Sequence, residues 1–271
     1  METLPNNRIG PEEARAVSEG EILALLHDVR EPVLLGLLEN PSFNERHACL
    51  LLLRKDLSMT FVESLASREH WTRSYEVKRA LAFHPHVPQL VGLRLARELY
   101  VGDLVHLAME LSVAPPVKHL AEELVLARLP QLPPAQKMIL ARRGSVRIAG
   151  ALLADGQGDV IPIVLESPFL NEGQVLRVLS RVNLNARVVL AVAESGRWNQ
   201  HYSVRLALVR NGQTPLGIVL SFLPSISTAD LRILAESSSL PTHVRTHVRK
   251  ELAYRMQHGR MPEKKGPRVR M

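Results

Sequence analysis

Residues 71–108 read WTRSYEVKRALAFHPHVPQLVGLRLARELYVGDLVHLA, and residues 198–235 read WNQHYSVRLALVRNGQTPLGIVLSFLPSISTADLRILA. Set against each other without a gap, at an offset of 127, Trp71, Tyr75, Val77, Ala80, Leu81, Pro88, Leu93, Asp103, Leu104, Leu107 and Ala108 return as Trp198, Tyr202, Val204, Ala207, Leu208, Pro215, Leu220, Asp230, Leu231, Leu234 and Ala235. The same offset runs back through Leu38, Glu39, Pro41, Asn44 and Glu45 (Leu165, Glu166, Pro168, Asn171, Glu172) and forward to Arg128 and Arg255. About one position in four is identical between 33–129 and 160–256. Self-similarity at a fixed spacing marks a repeat architecture, in which each unit buries its apolar face only by stacking on its neighbours. The absence of gaps predicts the same helix order in both copies and no strand in either.

Inside each copy the period is helical. Val77, Ala80 and Leu81 are spaced i, i+3, i+4, as are Val204, Ala207 and Leu208, so one face of each segment is buried and the other presented. Prolines and N-cap residues fall at the joints (Asn44, Ser58, Ser74, Pro88, Asp103, Pro115-Pro116, Pro133-Pro134), where they end one helix or pre-set the first turn of the next. Low aromatic content, 4%, and an apolar set of Leu, Val and Ala suit short packed helices better than a β-sandwich. The fold class is therefore all-α, an α-solenoid of short stacked helices in two homologous halves. The chain divides into an N-terminal lead and capping helix (1–31), a first half (32–158), a second half (159–258) and a basic tail (259–271) without periodicity, expected to be disordered. The loop Asp155-Gly156-Gln157-Gly158-Asp159 sits where the halves meet, and its carboxylates are accounted for by turn chemistry.

The segments 77–88 and 204–215 resemble the leucine-rich repeat variant and HEAT-like α-solenoids of bacteria, in which a helix opening Val-Arg runs into an Asn-Pro-x-Thr-Pro turn and a second helix. The turn departs from that pattern here, reading His84-Pro85 in one copy and Asn211-Gly212 in the other. Some leucine-rich repeat variant proteins carry an N-terminal iron-sulfur cluster; Cys49 alone does not supply its ligands, and no cofactor is expected.

The net charge of +7 invites a polyanionic partner, although 27 of the 34 basic residues are Arg, a bias that a codon habit of the source also produces. A valine followed by a basic residue recurs at helix starts: Val77-Lys78, Val117-Lys118, Val146-Arg147, Val204-Arg205 and Val244-Arg245. In register these cations, thickened by Arg79, Arg142 and Arg143, form either a stripe that meets phosphates or acidic chains, or an inter-repeat ladder in which each pairs with a carboxylate such as Asp103 or Asp230. Trp71 and Trp198 are read as duplicated core residues, each packed against its Tyr at i+4, with base stacking as the other reading. His243 and His247 share a helix face, but no third ligand at metal spacing accompanies them or His84 and His86. No Walker loop, dinucleotide fingerprint or G-x-S-x-G elbow occurs. With no apolar leader and no membrane span, a cytoplasmic chain is expected. It is expected to be a non-enzymatic binding module or scaffold for a protein partner or acidic segment, with nucleic acid as a further candidate. The alternative is a DNA-binding HEAT-like protein of the alkylpurine DNA glycosylase type, which needs Trp and Asp together on an open face.

Overall fold

The structure, a computed structural model, describes residues 9–257, and all their regular elements are helical. The tail at 259–271 lies outside the described residues. The chain forms two compact units that divide between Gln131 and Leu132. Unit 1 holds α1 (Pro11–Ala14), α2 (Glu19–Leu25), α3 (Glu31–Leu37), α4 (Glu45–Leu52), α5 (Met59–Ser67), α6 (Glu69–Arg73), α7 (Tyr75–Ala82), α8 (Gln89–Ala96), α9 (Val101–Met109) and α10 (Pro115–Arg128). Unit 2 holds α11 (Pro134–Arg143), α12 (Val146–Asp155), α13 (Ile161–Leu165), α14 (Glu172–Leu179), α15 (Ala186–Glu194), α16 (Tyr202–Arg210), α17 (Leu216–Phe222), α18 (Thr228–Glu236) and α19 (Thr242–Gln257).

At the 127-residue offset α4, α5 and α9 coincide with α14, α15 and α18 residue for residue, and α7, α8 and α10 match α16, α17 and α19 to within two residues at their ends. The one helix without a counterpart is α6, whose equivalent, 196–200, is turn; Gly196 stands there in place of Glu69. The correspondence also reaches further back than residues 33 and 160. α1 and α2 map inside α11 and α12, so residues 11–25 are the first helices of unit 1 in the same sense that 138–152 are those of unit 2, and the units divide upstream of the Asp155–Asp159 loop.

Each unit is a stack. In unit 1 α1 packs on α3, α3 on α5 and α4 on α7; in unit 2 α11 packs on α13, α13 on α15, α12 on α14 and α14 on α16. Helices this short are marginal alone, and their stability comes from the buried faces. Val77, Val117, Val204 and Val244 are all buried, so the valine of the recurrent Val-basic pair is a core residue and the cation after it is turned away from the core. The starts are capped as their sequences imply: Asn44 Oδ1 accepts from His47 N at 3.2 Å, Ser58 Oγ from Phe61 N at 3.0 Å and Ser74 Oγ from Val77 N at 3.4 Å.

The altered turn keeps its geometry. Asn211 Nδ2 donates to Leu179 O at 2.8 Å and its Oδ1 accepts from Gln213 N at 2.9 Å. His84 does the same work with a ring: Nε2 donates to Arg54 O at 2.8 Å and Nδ1 accepts from His86 N at 3.2 Å. Asn40 is a third instance, holding Ala14 O at 2.9 Å and Val17 O at 3.0 Å while accepting from Ser42 N at 2.8 Å. Each side chain closes its own turn and ties it to the end of an earlier helix, supplying donors to carbonyls that the helix leaves unpaired. His84 needs Nδ1 unprotonated for this, and burial lowers its pKa below the ordinary 6.5, against the Arg54 carbonyl, which raises it. A histidine with a depressed folded pKa contributes stability that is present above pH 6.5 and is lost as pH falls through its folded value. We therefore expect thermal stability to drop on acidification below pH 6.5 and the His84→Asn variant, which installs the residue of the other copy, to flatten that drop. Melting curves from pH 7.5 to 5 decide it; equal acid sensitivity in the variant excludes His84 as the cause.

Candidate functional site

In unit 1 two of the three expected cationic positions are internally paired. Lys78 Nζ lies 2.7 Å from Glu98 Oε2, and Arg79 Nε lies 2.7 Å from Asp103 Oδ1 with its guanidinium over the Phe83 ring. The pairing with Asp103 raises the pKa of Arg79 further. Among the described residues Lys118 makes no ion pair; Glu110 is held below its ordinary range first by hydrogen bonds from Ser112 and only then by the charges of Lys55 and Lys118. For Lys78 and Arg79 the ladder describes the structure. The positions in unit 2 do not repeat it. Arg205, the counterpart of Lys78, has a buried Nε without a hydrogen-bond partner, because Ser225 stands where unit 1 has Glu98. Arg245, the counterpart of Lys118, reaches the Ser237 carbonyl at 3.4 Å, and Ser237 replaces Glu110. Arg142 and Arg143 are exposed in the last turn of α11, where cations complement the helix dipole. Arg147 comes after a valine that is itself at the surface, so it is not equivalent to the other four.

Many remaining arginines have a structural use that composition and spacing do not reveal. Arg54 donates to Leu26 O and Asp28 O, both at 2.7 Å; Arg68 to Leu38 O at 2.8 Å; Arg128 to Leu99 O at 2.7 Å and Arg97 O at 2.9 Å; Arg255 to Ile226 O at 2.7 Å and Leu223 O at 2.9 Å. Each closes carbonyls at the end of an earlier helix with a fork able to serve two acceptors, and Arg128 and Arg255 do so at equivalent places. Part of the basic surplus is thus helix capping.

The aromatic residues are structural as well. Trp71 and Trp198 are 5% and 3% exposed, which leaves neither indole available for base stacking and leaves the glycosylase-type reading without the open aromatic it requires. Trp71 packs edge-on against Phe43, with ring centroids 5.3 Å apart. Tyr75 does not pair with it as the i+4 spacing suggests; its ring lies against Tyr100 and its hydroxyl donates to Asp103 while accepting from Tyr100 N at 3.1 Å. Tyr202 repeats this with Asp230 and Ser227 N, the latter at 3.0 Å. Burial, and then the carboxylate, push Tyr75 up to about 12, and the Tyr202 hydroxyl, with that of Ser227 second, holds Asp230 below the usual carboxylate range.

What distinguishes the copies is charge. Residues 1–131 carry 14 Lys and Arg against 18 Asp and Glu, a net of −4, whereas 132–257 carry 15 against 8, a net of +7; the other five basic residues and one acidic residue fall at 258–271. The whole positive surplus belongs to the second unit together with residues 258–271. Unit 2 also has a groove of about 760 Å³ along α14 and α16, floored by Leu176, Leu179 and Leu206, with Arg181 and Arg210 exposed at its walls. Among the described residues neither arginine side chain makes a hydrogen bond or an ion pair, although the charge of Arg210 helps to lower the pKa of Asp230. In unit 1 the matching helices, α4 and α7, carry a groove of about 540 Å³ lined by Asn44, Glu45, Arg46, Cys49 and Glu76; Arg79 and Phe83 occupy the positions of Leu206 and Arg210, and Arg54, the counterpart of Arg181, is bound to Asp56, which unit 2 replaces with Asn183.

Among the described residues no three His, Cys, Asp or Glu side chains come together as a metal site, and no helix is long and apolar enough to cross a membrane. No family model, curated protein or solved structure matches the chain.

Proposed function

We propose that the chain is a non-enzymatic α-solenoid binding module whose second unit engages an acidic partner. The observation that carries this reading is the division of charge between two copies of one fold. Unit 1 pairs Arg54, Lys78 and Arg79 with Asp56, Glu98 and Asp103, while unit 2 has Asn183, Ser225 and Ser237 at the places of Asp56, Glu98 and Glu110. A duplicated scaffold needs no such divergence to fold, and cations left without internal anions raise the local concentration of an anionic partner. Both indoles are buried, and Tyr202 and Asp230 are used in fixing the start of α18.

The test is titration of the full chain with a labelled twelve-residue peptide of glutamate and leucine, and with a glutamine counterpart, at 50 and 200 mM salt. The acidic peptide should bind, and more weakly at the higher salt because exposed charges are screened over about 8–10 Å near physiological ionic strength. If the acidic peptide fails to bind at low salt, or the glutamine peptide binds equally, the proposal is wrong.

A further inference from the structure

The acidic-partner reading leaves open where on unit 2 the partner sits, and the groove along α14 and α16 answers this. We infer that it is a docking site for an acidic, leucine-containing segment of a partner protein, with carboxylates on Arg181 and Arg210 and an aliphatic side chain on the floor of Leu176, Leu179 and Leu206. This rests on the proposed function and narrows it.

The position-by-position comparison of the copies makes the case. In unit 1, Arg79 bridges to Asp103 and lies over Phe83, and the groove along α4 and α7 is lined by two glutamates, Glu45 and Glu76, and one arginine, Arg46. In unit 2, Leu206 removes the bridge, Arg210 replaces the aromatic, and Arg181 loses its aspartate to Asn183. The result is an open groove lined by Leu176, Leu179 and Leu206 and by two guanidiniums without a side-chain hydrogen bond or ion pair among the described residues, Arg210 acting only through its charge on Asp230. Arginine forks match carboxylates in two-point contacts, and being weakly hydrated they suit an interface. Asp230 also lines the groove, but its Oδ2 is held by Tyr202 and by Ser227 Oγ at 2.8 Å, so the arginines outnumber the one carboxylate.

Two other occupants fit less well. A single nucleic-acid strand calls for successive aromatic platforms, and among the described residues lining the groove Tyr202 is the one aromatic. The chain's own residues 258–271 carry five basic residues and one acidic residue, the wrong sign for a site that already holds two arginines.

The test uses the full chain and the same glutamate–leucine peptide, with a labelled oligothymidine beside it. Arg181→Glu/Arg210→Glu should weaken peptide binding by at least about tenfold, the scale expected when charge partners at an interface are opposed. Leu206→Arg, which restores the unit 1 residue and its bond to the aspartate, should also weaken binding, with the helical circular dichroism unchanged. Arg142→Ala/Arg143→Ala, which removes exposed cations outside the groove, should leave affinity within about twofold, as for rim charges. If the peptide binds the parent and both groove variants equally, or loses as much on removal of Arg142 and Arg143, the acidic-partner reading stands and the groove is excluded. If oligothymidine binds more tightly than the peptide and loses affinity in the groove variants, the occupant is nucleic acid and the inference is overturned. If the parent binds neither probe, the broader reading falls with it.

Discussion

Trp198→Ala and Trp71→Ala should each lower stability by roughly 3–5 kcal/mol, the range for truncating a core aromatic, and the two should differ when the ring is kept. Both indoles are buried at equivalent positions, but their N–H groups are not equivalent. Trp198 Nε1 donates to Leu165 O at 2.9 Å, whereas Trp71 Nε1 is buried without a partner, and the matching carbonyl, Leu38 O, accepts from Arg68 at 2.8 Å. An orphaned buried donor costs about 1–3 kcal/mol, and a made hydrogen bond contributes about 1 kcal/mol net. Trp71→Phe removes the first and Trp198→Phe removes the second, so Trp198→Phe should be the more damaging by about 1 kcal/mol or more. Urea unfolding followed by circular dichroism at 222 nm measures this without relying on the indole signal. Equal losses in the two phenylalanine variants would show that the hydrogen bond contributes nothing.

Asp155→Ala should be as costly as a core truncation, although Asp155 stands at the last residue of α12, beside a glycine loop. Its Oδ2 lies 2.7 Å from the Nζ of Lys137, whose side chain is 6% exposed. Removing one partner of a buried pair strands the other charge, at a cost of about 3–5 kcal/mol, while replacing both partners with apolar residues of similar volume is often neutral. We expect Asp155→Ala to shift the urea midpoint strongly and the double variant Lys137→Met/Asp155→Leu to return it near that of the parent. If the double variant is as damaging as Asp155→Ala, the pair stabilises the fold outright. The next residue, Gly156, takes a left-handed φ of 70° as it ends α12, a conformation that favours glycine there.

The helical stack is legible in the sequence because its signals are local. Asn44, Ser58 and Ser74 cap the helices they precede, Pro115 and Pro116 open α10, and the buried valines mark the core face. The full extent of the duplication is also written there. Ala14, Arg15, Ser18, Ala24, Leu25, Leu26 and Asp28 recur as Ala141, Arg142, Ser145, Ala151, Leu152, Leu153 and Asp155, which brings α1 and α2 into the repeat. A boundary drawn at the glycine loop hides this, since loop composition reports a turn and not the limit of a compact unit. Asp103, which reads as an N-cap, stands at the third position of α9, with Tyr100 at the cap.

The candidate site is less legible because it depends on long-range partners. The Val-basic motif is one pattern in sequence but serves different ends: Lys78 meets Glu98 across 20 residues, while Arg205 at the same place in the fold meets no anion through Nε. Whether an arginine caps a helix, pairs or stands free depends on what lies about 30 residues away, as Arg54, Arg128 and Arg255 show. The informative signal is the mismatch between the copies at 79/206, 83/210 and 56/183, and not the identities that reveal the repeat.

The central claim is that binding belongs to the copy that lost its internal anions, and hydrogen exchange of the full chain with and without saturating glutamate–leucine peptide tests it most directly. Protection should be concentrated in α14, α16 and the turn at 180–183, with α4 and α7 of unit 1 unchanged. Equal protection of α4 and α7, or protection confined to unit 1, would contradict it.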